Sequence, residues 1–95
     1  MTDSVKTLKK PDIYVVARIL ERLWRGDAPI KKTKLQMSVG LNYMTFKKYI
    51  NWMLKKKLIT MNNEKDGYNY ISLTSKGVDA YYHLVLWLKE TIDDE

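Results

Sequence analysis

The spacing of apolar residues changes twice along this chain, and these changes limit its fold more than any other sequence feature. From residue 11 to about residue 57, apolar residues recur every three or four positions, which is typical of amphipathic helices. Between residues 58 and 73, aromatic and β-branched residues flank a turn that ends in Asp66-Gly67, which indicates a β-hairpin. The helical spacing then returns. We therefore predict a mainly α fold with one small β-hairpin, in the order α-α-α-β-β-α.

The first helix is predicted over residues 11–25, because Gly26 and Pro29 prevent its continuation. One strand-pairing residue is expected near Ile30. The side of the helix opposite its apolar arc carries Arg18, Arg22 and Arg25. We interpret this arginine stripe as a solvated face or as a partner for the acidic C-terminus.

Two further helices are separated by a tight turn. Gly40 ends a short lysine-rich helix at residues 31–39, and Asn42 is placed to cap a third helix that runs to about Lys57. Two short helices joined by a turn that contains glycine are a helix-turn-helix pattern.

The sequence excludes several classes of protein. A chain of 95 residues has room for one hydrophobic core, so we expect one compact unit. The absence of cysteine excludes disulfides and thiolate metal sites, and it favours a reducing, intracellular location. The first residues lack the apolar segment of a signal peptide, and no run of eighteen apolar residues is present. We accordingly expect a cytoplasmic, nucleoid-associated protein with no membrane contact.

The charges are strongly segregated along the chain. No acidic residue occurs between Asp27 and Glu64, and that stretch holds eight lysines: Lys31, Lys32, Lys34, Lys47, Lys48, Lys55, Lys56 and Lys57. After Gly77, five acidic residues accompany Lys89 alone. Salt-bridged surface helices normally interleave the two signs, so this segregation predicts a polarised surface that suits an anionic partner.

Two short motifs carry a resemblance to a known family. The lysine-rich helix ends in Leu58-Ile59, and the hairpin enters the last helix through Leu73–Gly77, which reads Leu-Thr-Ser-Lys-Gly. From about residue 12 to residue 90 the chain resembles the archaeal winged-helix family of predicted transcriptional regulators. The resemblance implies a winged helix-turn-helix fold in which Leu41–Ile50 begins the recognition helix and the hairpin is the wing. The family usually has glycine where Lys57 stands, and a left-handed residue there would let the turn form at modest cost.

The residues expected to contact double-stranded DNA lie on the outward face of the third helix and beside it. A helix in the major groove needs short polar or basic side chains to reach base edges, with cations nearby for phosphates. Asn51 can pair with adenine through two hydrogen bonds, lysine can donate to guanine, and Tyr43 and Met44 can contact a thymine methyl group. The predicted set is Lys31, Lys32, Lys34, Asn42, Tyr43, Met44, Thr45, Lys47, Lys48, Asn51, Lys55 and Lys65.

A simpler interpretation is that these lysines only solvate exposed helix faces. It accounts more readily for any one lysine than for eight lysines with no acid among them. We expect Trp52 to pack against the hairpin or the second helix rather than to contact DNA. Tyr68 and Tyr70 are interpreted as ordinary strand residues.

The last helix, capped by Thr74 and predicted over residues 75–92, is apolar on two sides. Packing within one chain needs only one apolar stripe, so we expect the other to pack against a second copy of the chain. The predicted dimer interface comprises Tyr81, Leu84, Val85, Trp87, Leu88 and Ile92. In several relatives of the resembling family this helix forms an antiparallel coiled-coil dimer. The alternative is that the whole helix packs within one chain and leaves Trp87 exposed.

These expectations divide the chain into a loose basic tail at 1–10, a winged-helix DNA-binding domain at 11–76, and a dimerisation helix with an acidic tail at 77–95. No catalytic or metal-binding group is recognisable, since His83 is the only histidine and the glycines stand singly. We predict no enzyme activity and no cofactor; no small-molecule ligand is evident, and the sequence argues neither for nor against an effector. Three functions stay open: a homodimeric sequence-specific transcriptional regulator, an architectural protein that binds DNA or RNA without sequence specificity, and a winged-helix module for protein interaction.

Overall fold

The structure, a computed structural model, describes residues 10–26 and 29–92. Its elements are α1 (Ile13–Gly26), β1 (Ile30–Lys31), α2 (Lys32–Val39), α3 (Tyr43–Lys55), β2 (Ile59–Asn63), β3 (Asn69–Leu73), α4 (Ser75–Ala80), a π segment (Tyr81–Leu86) and α5 (Trp87–Thr91). The last three follow without a break, and together we call them the terminal helix. The predicted mainly α fold with a small hairpin is confirmed. Most of the expected basic tail and the acidic residues after Ile92 lie outside the described residues.

Capping sets where α1 begins. The helix starts at Ile13 rather than at residue 11, because the Asp12 carboxylate accepts a 2.8 Å hydrogen bond from the Tyr14 backbone N–H. The apolar arc of α1 buries Val16, Ala17, Ile19, Leu20 and Leu23. That arc is the wall of the core onto which the sheet and the terminal helix pack.

The turn between α2 and α3 forms as the sequence predicts. Gly40 ends α2 at φ 72°, in the left-handed region that glycine adopts without steric penalty. The Asn42 side chain accepts a 2.9 Å hydrogen bond from the Thr45 backbone N–H and so caps α3. Because the turn and the cap are both local, the direction of α3 relative to α2 follows from this short segment.

The sheet is antiparallel, with the strand order β1-β3-β2. Ile30 lies opposite Ile71, which confirms the pairing expected near Ile30, and Lys31 lies opposite Tyr70. The prediction that Lys31 begins α2 is therefore wrong: the residue belongs to β1, and the helix starts one residue later. The side chains that the fold encloses completely, from α1, α2, α3 and the sheet, are Ile19, Leu20, Leu35, Phe46, Ile50, Met53, Ile59 and Ile71.

The predicted end of α3 at Lys57 is also corrected. The helix ends at Lys55, because Lys57 has φ 63° and leaves the helical region. The left-handed conformation expected where the resembling family has glycine is thus present.

The start of the terminal helix closes over this turn. The Thr74 hydroxyl donates a 2.7 Å hydrogen bond to the Lys57 carbonyl, and the Thr74 backbone N–H donates one of 3.0 Å to the Leu58 carbonyl. The Lys76 ammonium donates a 2.9 Å hydrogen bond to the Lys56 carbonyl. We call these three bonds the α3–α4 clamp. They satisfy carbonyl groups at the end of α3 and tie the terminal helix to it.

The terminal helix widens where it meets α1. Tyr81 stacks on Trp24 with ring centroids 4.8 Å apart, and Tyr82 meets the same indole edge-on at 5.3 Å. In the π segment the His83 ring also hydrogen-bonds the Asp79 carbonyl at 2.8 Å. A π-helix is wider than an α-helix, so both tyrosines reach Trp24, and the stripes assumed for a regular α-helix shift within this segment.

Candidate nucleic-acid interface

The outward surface of α3 is polar and basic because the opposite side of the helix is in the core. Phe46, Tyr49, Ile50 and Met53 are buried, and they anchor the helix along its length. All eight residues that the sequence predicts on or capping this helix share the outward surface, which we call the α3 face. The exposed ones are Asn42, Tyr43, Met44, Lys47, Asn51 and Lys55, while Thr45 and Lys48 are half-buried.

The electrostatic field at the α3 face has one sign. The first turn of α3 has no acidic residue, so the positive end of the helix dipole is not opposed there. The Lys47 ammonium lies 5.9 Å from the centroid of the Tyr43 ring, which holds a cation beside an exposed aromatic surface. This combination suits a helix that enters a groove lined by phosphates.

Trp52 does not belong to the α3 face. Its indole is half-buried and packs against the core, with the Lys56 ammonium 5.9 Å from the ring centroid. The prediction that Trp52 packs within the protein is therefore confirmed.

An arginine of α1 contacts the end of α2. Arg18 donates a 2.9 Å hydrogen bond to the Val39 carbonyl, at the C-terminal end of α2. A cation there satisfies a terminal carbonyl and complements the negative end of the helix. Arg18 is exposed, as expected for a solvated stripe, but that interpretation did not include this hydrogen bond. The acidic residues 93–95, the other partner considered for the stripe, lie outside the described residues. The spacing of arginines places them on one face of α1 but does not indicate which element meets that face.

The three lysines predicted to contact phosphates beside α2 lie in different environments. Lys31 is half-buried in β1, and its ammonium lies 3.8 Å from the centroid of the Tyr68 ring in the wing. Lys32 is half-buried in the first turn of α2, and Lys34 is exposed in the same turn. The cation–π contact of Lys31 ties the wing to the start of α2.

The wing tip carries Lys65 in an exposed position between two acidic residues, Glu64 and Asp66. The Asp66 carboxylate accepts hydrogen bonds from the Tyr68 backbone N–H at 2.9 Å and from the Tyr70 hydroxyl at 2.8 Å. These two bonds, helped by the charge of Lys31, hold the pKa of Asp66 below its ordinary value. The same carboxylate raises the pKa of the Tyr70 hydroxyl. Sequence reasoning treated Tyr70 as an ordinary strand residue and missed this network.

The residues predicted for a dimer interface fall into two groups in the structure. Tyr81, Val85 and Leu88 are buried within the chain, where the terminal helix packs against α1. Leu84 is half-buried, while Trp87 and Ile92 are each 53% exposed. A role for any of these residues between two copies of the chain stays a prediction.

Residues 10–26 and 29–92 contain neither a membrane-spanning helix nor a cluster of metal ligands. No helix in these segments has the length and apolarity needed to cross a membrane. Over the same described residues, no three histidine, aspartate or glutamate side chains come together where they would hold a metal ion.

Comparison with known proteins gives a consistent assignment of the fold. A family model described as winged helix-turn-helix matches residues 9–90. No curated protein matches the sequence. Among solved structures, a winged-helix DNA-binding protein from STIV has a TM-score of 0.78 at 18% identity, with 87% of this chain and 96% of that one covered.

Two solved regulators share the same fold over part of their length. The PcaV transcriptional regulator from Streptomyces coelicolor, solved with its natural ligand, has a TM-score of 0.68 at 17% identity, over 74% of this chain and 50% of that one. A MarR-like transcription regulator from Bacillus cereus has a TM-score of 0.69 at 18% identity, over 81% of this chain and 59% of that one. At these identities the likeness establishes the fold, and the chain spans little more than half of each regulator.

Proposed function

This chain belongs to the winged helix-turn-helix family, and we propose that it is a homodimeric, sequence-specific regulator of transcription that binds double-stranded DNA. The α3 face enters the major groove, and the β2–β3 hairpin lies alongside as the wing. Lysines at the start of α2 and at the wing tip contact phosphates.

The observation that carries this proposal is the composition of the α3 face. The face combines basic side chains for phosphates with Asn51 and Thr45, whose side chains can hydrogen-bond base edges. The helix that bears them is fixed by buried residues on its other side and by the Asn42 cap. A helix face that is only solvated normally carries charges of both signs, whereas the charged residues of the α3 face are all lysines.

Two variants separate affinity from sequence readout. Replacing both Lys47 and Lys48 by alanine should weaken binding to every duplex and lower the slope of log K against log salt by about 2 for each subunit bound, since each subunit loses two phosphate contacts. Asn51→Ala should instead reduce discrimination at one base position by about 1–3 kcal/mol. The control for charge is Arg25→Ala, which removes one exposed cation of α1 away from the α3 face and is compared with the single variant Lys47→Ala.

The measurement starts with selection from a randomised duplex pool at about 150 mM salt and continues with titrations of the selected site. An enriched inverted repeat supports a dimeric sequence-specific regulator. Retention without enrichment favours an architectural role on DNA or RNA. The absence of retention would favour the protein-interaction module. If Asn51→Ala leaves the preference for the selected site unchanged, the role given to Asn51 is wrong.

The dimer part of the proposal rests on apolar side chains that the terminal helix exposes. Trp87 at 53% and Tyr82 at 46% are more exposed than aromatic side chains usually are in a folded protein. Trp87→Glu should convert a dimer to a folded monomer in sedimentation velocity, whereas Met37→Glu, at a residue 80% exposed on α2, should not. A wild-type monomer at tens of micromolar would contradict a stable dimer.

A further inference from the structure

A cleft lies where α1 ends, beside the edge of the sheet and the start of α2. It is lined by Arg22, Gly26, Pro29, Ile30, Lys31, Lys34 and Tyr70, and its volume is about 410 Å³. Three of these side chains are cations, and each comes from a different element: Arg22 from α1, Lys31 from β1 and Lys34 from α2. We call this the basic cleft. The three residues fall within residues 22–34, and the fold places them on one cleft although they belong to three different elements.

The cations are held in place by neighbouring groups. The Arg22 guanidinium folds back over the end of α1, since a Cβ built on Gly26 would lie 3.4 Å from Arg22 Nη1. Lys31 is positioned by the backbone pairing of β1 with β3 and by its contact with the Tyr68 ring. Arg22 and Lys31 are both half-buried. Placement of this kind reduces the side-chain entropy that a ligand would have to remove.

The one acidic group that contacts a lining residue through a described hydrogen bond is the Asp66 carboxylate. It accepts hydrogen bonds from the Tyr68 N–H and the Tyr70 hydroxyl, so the Tyr70 hydroxyl proton is not free for a ligand. Within the described residues, the only ion pair at 4.0 Å or less joins Lys89 to Glu21, and neither residue lines the basic cleft. The described lining residues therefore bring three positive charges and no negative charge to the cleft.

We propose that the basic cleft binds a phosphate group. A guanidinium presents two parallel N–H donors that match two phosphate oxygens, and two ammonium groups complete the compensation of a dianion. The phosphate has two possible sources: the backbone of a duplex bound at the α3 face, or a free phosphate or phosphorylated small molecule. The duplex source rests on the proposed function, whereas the site itself does not.

The first arm of the test uses inorganic phosphate and the full chain without DNA. Backbone amide resonances are followed by NMR as phosphate replaces chloride at constant ionic strength. Saturable shifts are expected at Ile30, Lys31 and Lys34. Arg22→Gln should weaken the apparent affinity about tenfold, since a charge-assisted bidentate contact is lost, and Arg25→Gln should not change it. Lys34→Gln, at an exposed position, provides a second variant should Arg22→Gln impair folding.

The second arm identifies the source of the phosphate. If a duplex phosphate occupies the cleft, Arg22→Gln lowers the salt slope of DNA binding by about 0.9 for each subunit bound, while Arg25→Gln leaves it unchanged. An unchanged slope together with saturable phosphate binding assigns the site to a free or small-molecule phosphate. The proposal would be overturned if the salt slope is unchanged and the phosphate shifts either do not saturate or are equal in the Arg22 and Arg25 variants. The phosphate titration is made without DNA, so its result does not depend on whether the protein binds DNA. The proposed function and the phosphate site can therefore fail independently.

Discussion

Gly77→Ala should destabilise this protein strongly, although alanine is a better helix former than glycine. Gly77 is buried in the first turn of α4, where the terminal helix passes over the end of α3. A Cβ at this position would lie 2.1 Å from the Leu58 carbonyl oxygen and 3.0 Å from Leu73 Cδ2. The leucine side chain can move, but the carbonyl belongs to the backbone and is held by the α3–α4 clamp. The two segments would have to separate by more than about 1 Å to restore an ordinary contact.

The cost can be estimated from the bonds that such a separation breaks. The hydrogen bonds from Thr74 to the Lys57 and Leu58 carbonyls would be lost, each worth about 0.5–1.5 kcal/mol. Overpacking adds about 1–3 kcal/mol, and the helix propensity of alanine returns about 1 kcal/mol. The expected loss is about 1–5 kcal/mol in the free energy of unfolding. For a domain of this size that lowers Tm by about 5–40 °C.

The matched control is Gly26→Ala. There the added Cβ would meet Ile30 Cδ1 at 2.8 Å, the flexible end of a side chain rather than backbone. We expect a loss of about 1 kcal/mol or less, because the isoleucine can change rotamer. Both variants are measured by urea unfolding with the same baseline treatment. If Gly77→Ala lowers the free energy of unfolding no more than Gly26→Ala does, glycine at position 77 is not required for the close approach of α4 to the end of α3.

Two further predictions concern the turn after α3 and the wing. Lys57→Gly should raise the free energy of unfolding by about 0.5–1 kcal/mol, since φ 63° strains a residue with a Cβ. The control Lys56→Gly, at φ −81°, should lower the free energy of unfolding instead. Equal effects of the two substitutions would contradict the strain at Lys57. The Asp66 carboxyl should titrate by NMR below its ordinary pKa of 3.8, and Tyr70→Phe should move its pKa toward that value. Because the folded-state pKa is lowered, the stabilising contribution of Asp66 is present above pH 3.8 and is lost as the pH falls through the folded-state pKa. If the NMR titration midpoint of Asp66 is unchanged in Tyr70→Phe, the Tyr70 hydrogen bond does not lower this pKa.

The features that the sequence predicts correctly depend on local chemistry. Asn42 and Thr74 cap their helices through a backbone N–H three residues ahead, and Gly40 ends α2 through its own backbone freedom. The α3 face is also local in origin, because a regular helix places its apolar and polar positions on opposite sides. These features need no knowledge of what packs against them.

The features that the sequence does not predict depend on partners from distant parts of the chain. Three arginines spaced along one side of α1 have three environments: Arg18 caps α2, Arg22 lines the basic cleft, and Arg25 is exposed. Lys31 joins a strand because β3 lies beside it, although the helix α2 begins at the next residue. The π segment lies where Tyr81 stacks on Trp24, a contact between the first helix and the last that the sequence does not reveal.

Under the proposed function, the α3–α4 clamp would give the entry motif Leu-Thr-Ser-Lys-Gly a mechanical role in DNA recognition. Thr74 and Lys76 bond the end of α3, and Gly77 lets the two helices approach closely enough for those bonds to form. In the dimer proposed above, the terminal helices would meet each other, while each α3 would enter a groove. The distance between the two α3 faces would then depend on the clamp, because the clamp connects each α3 to the terminal helix at the dimer interface. Residues that touch no DNA would thus set the half-site spacing that the dimer accepts, because spacing follows from the geometry of the protein two-fold axis.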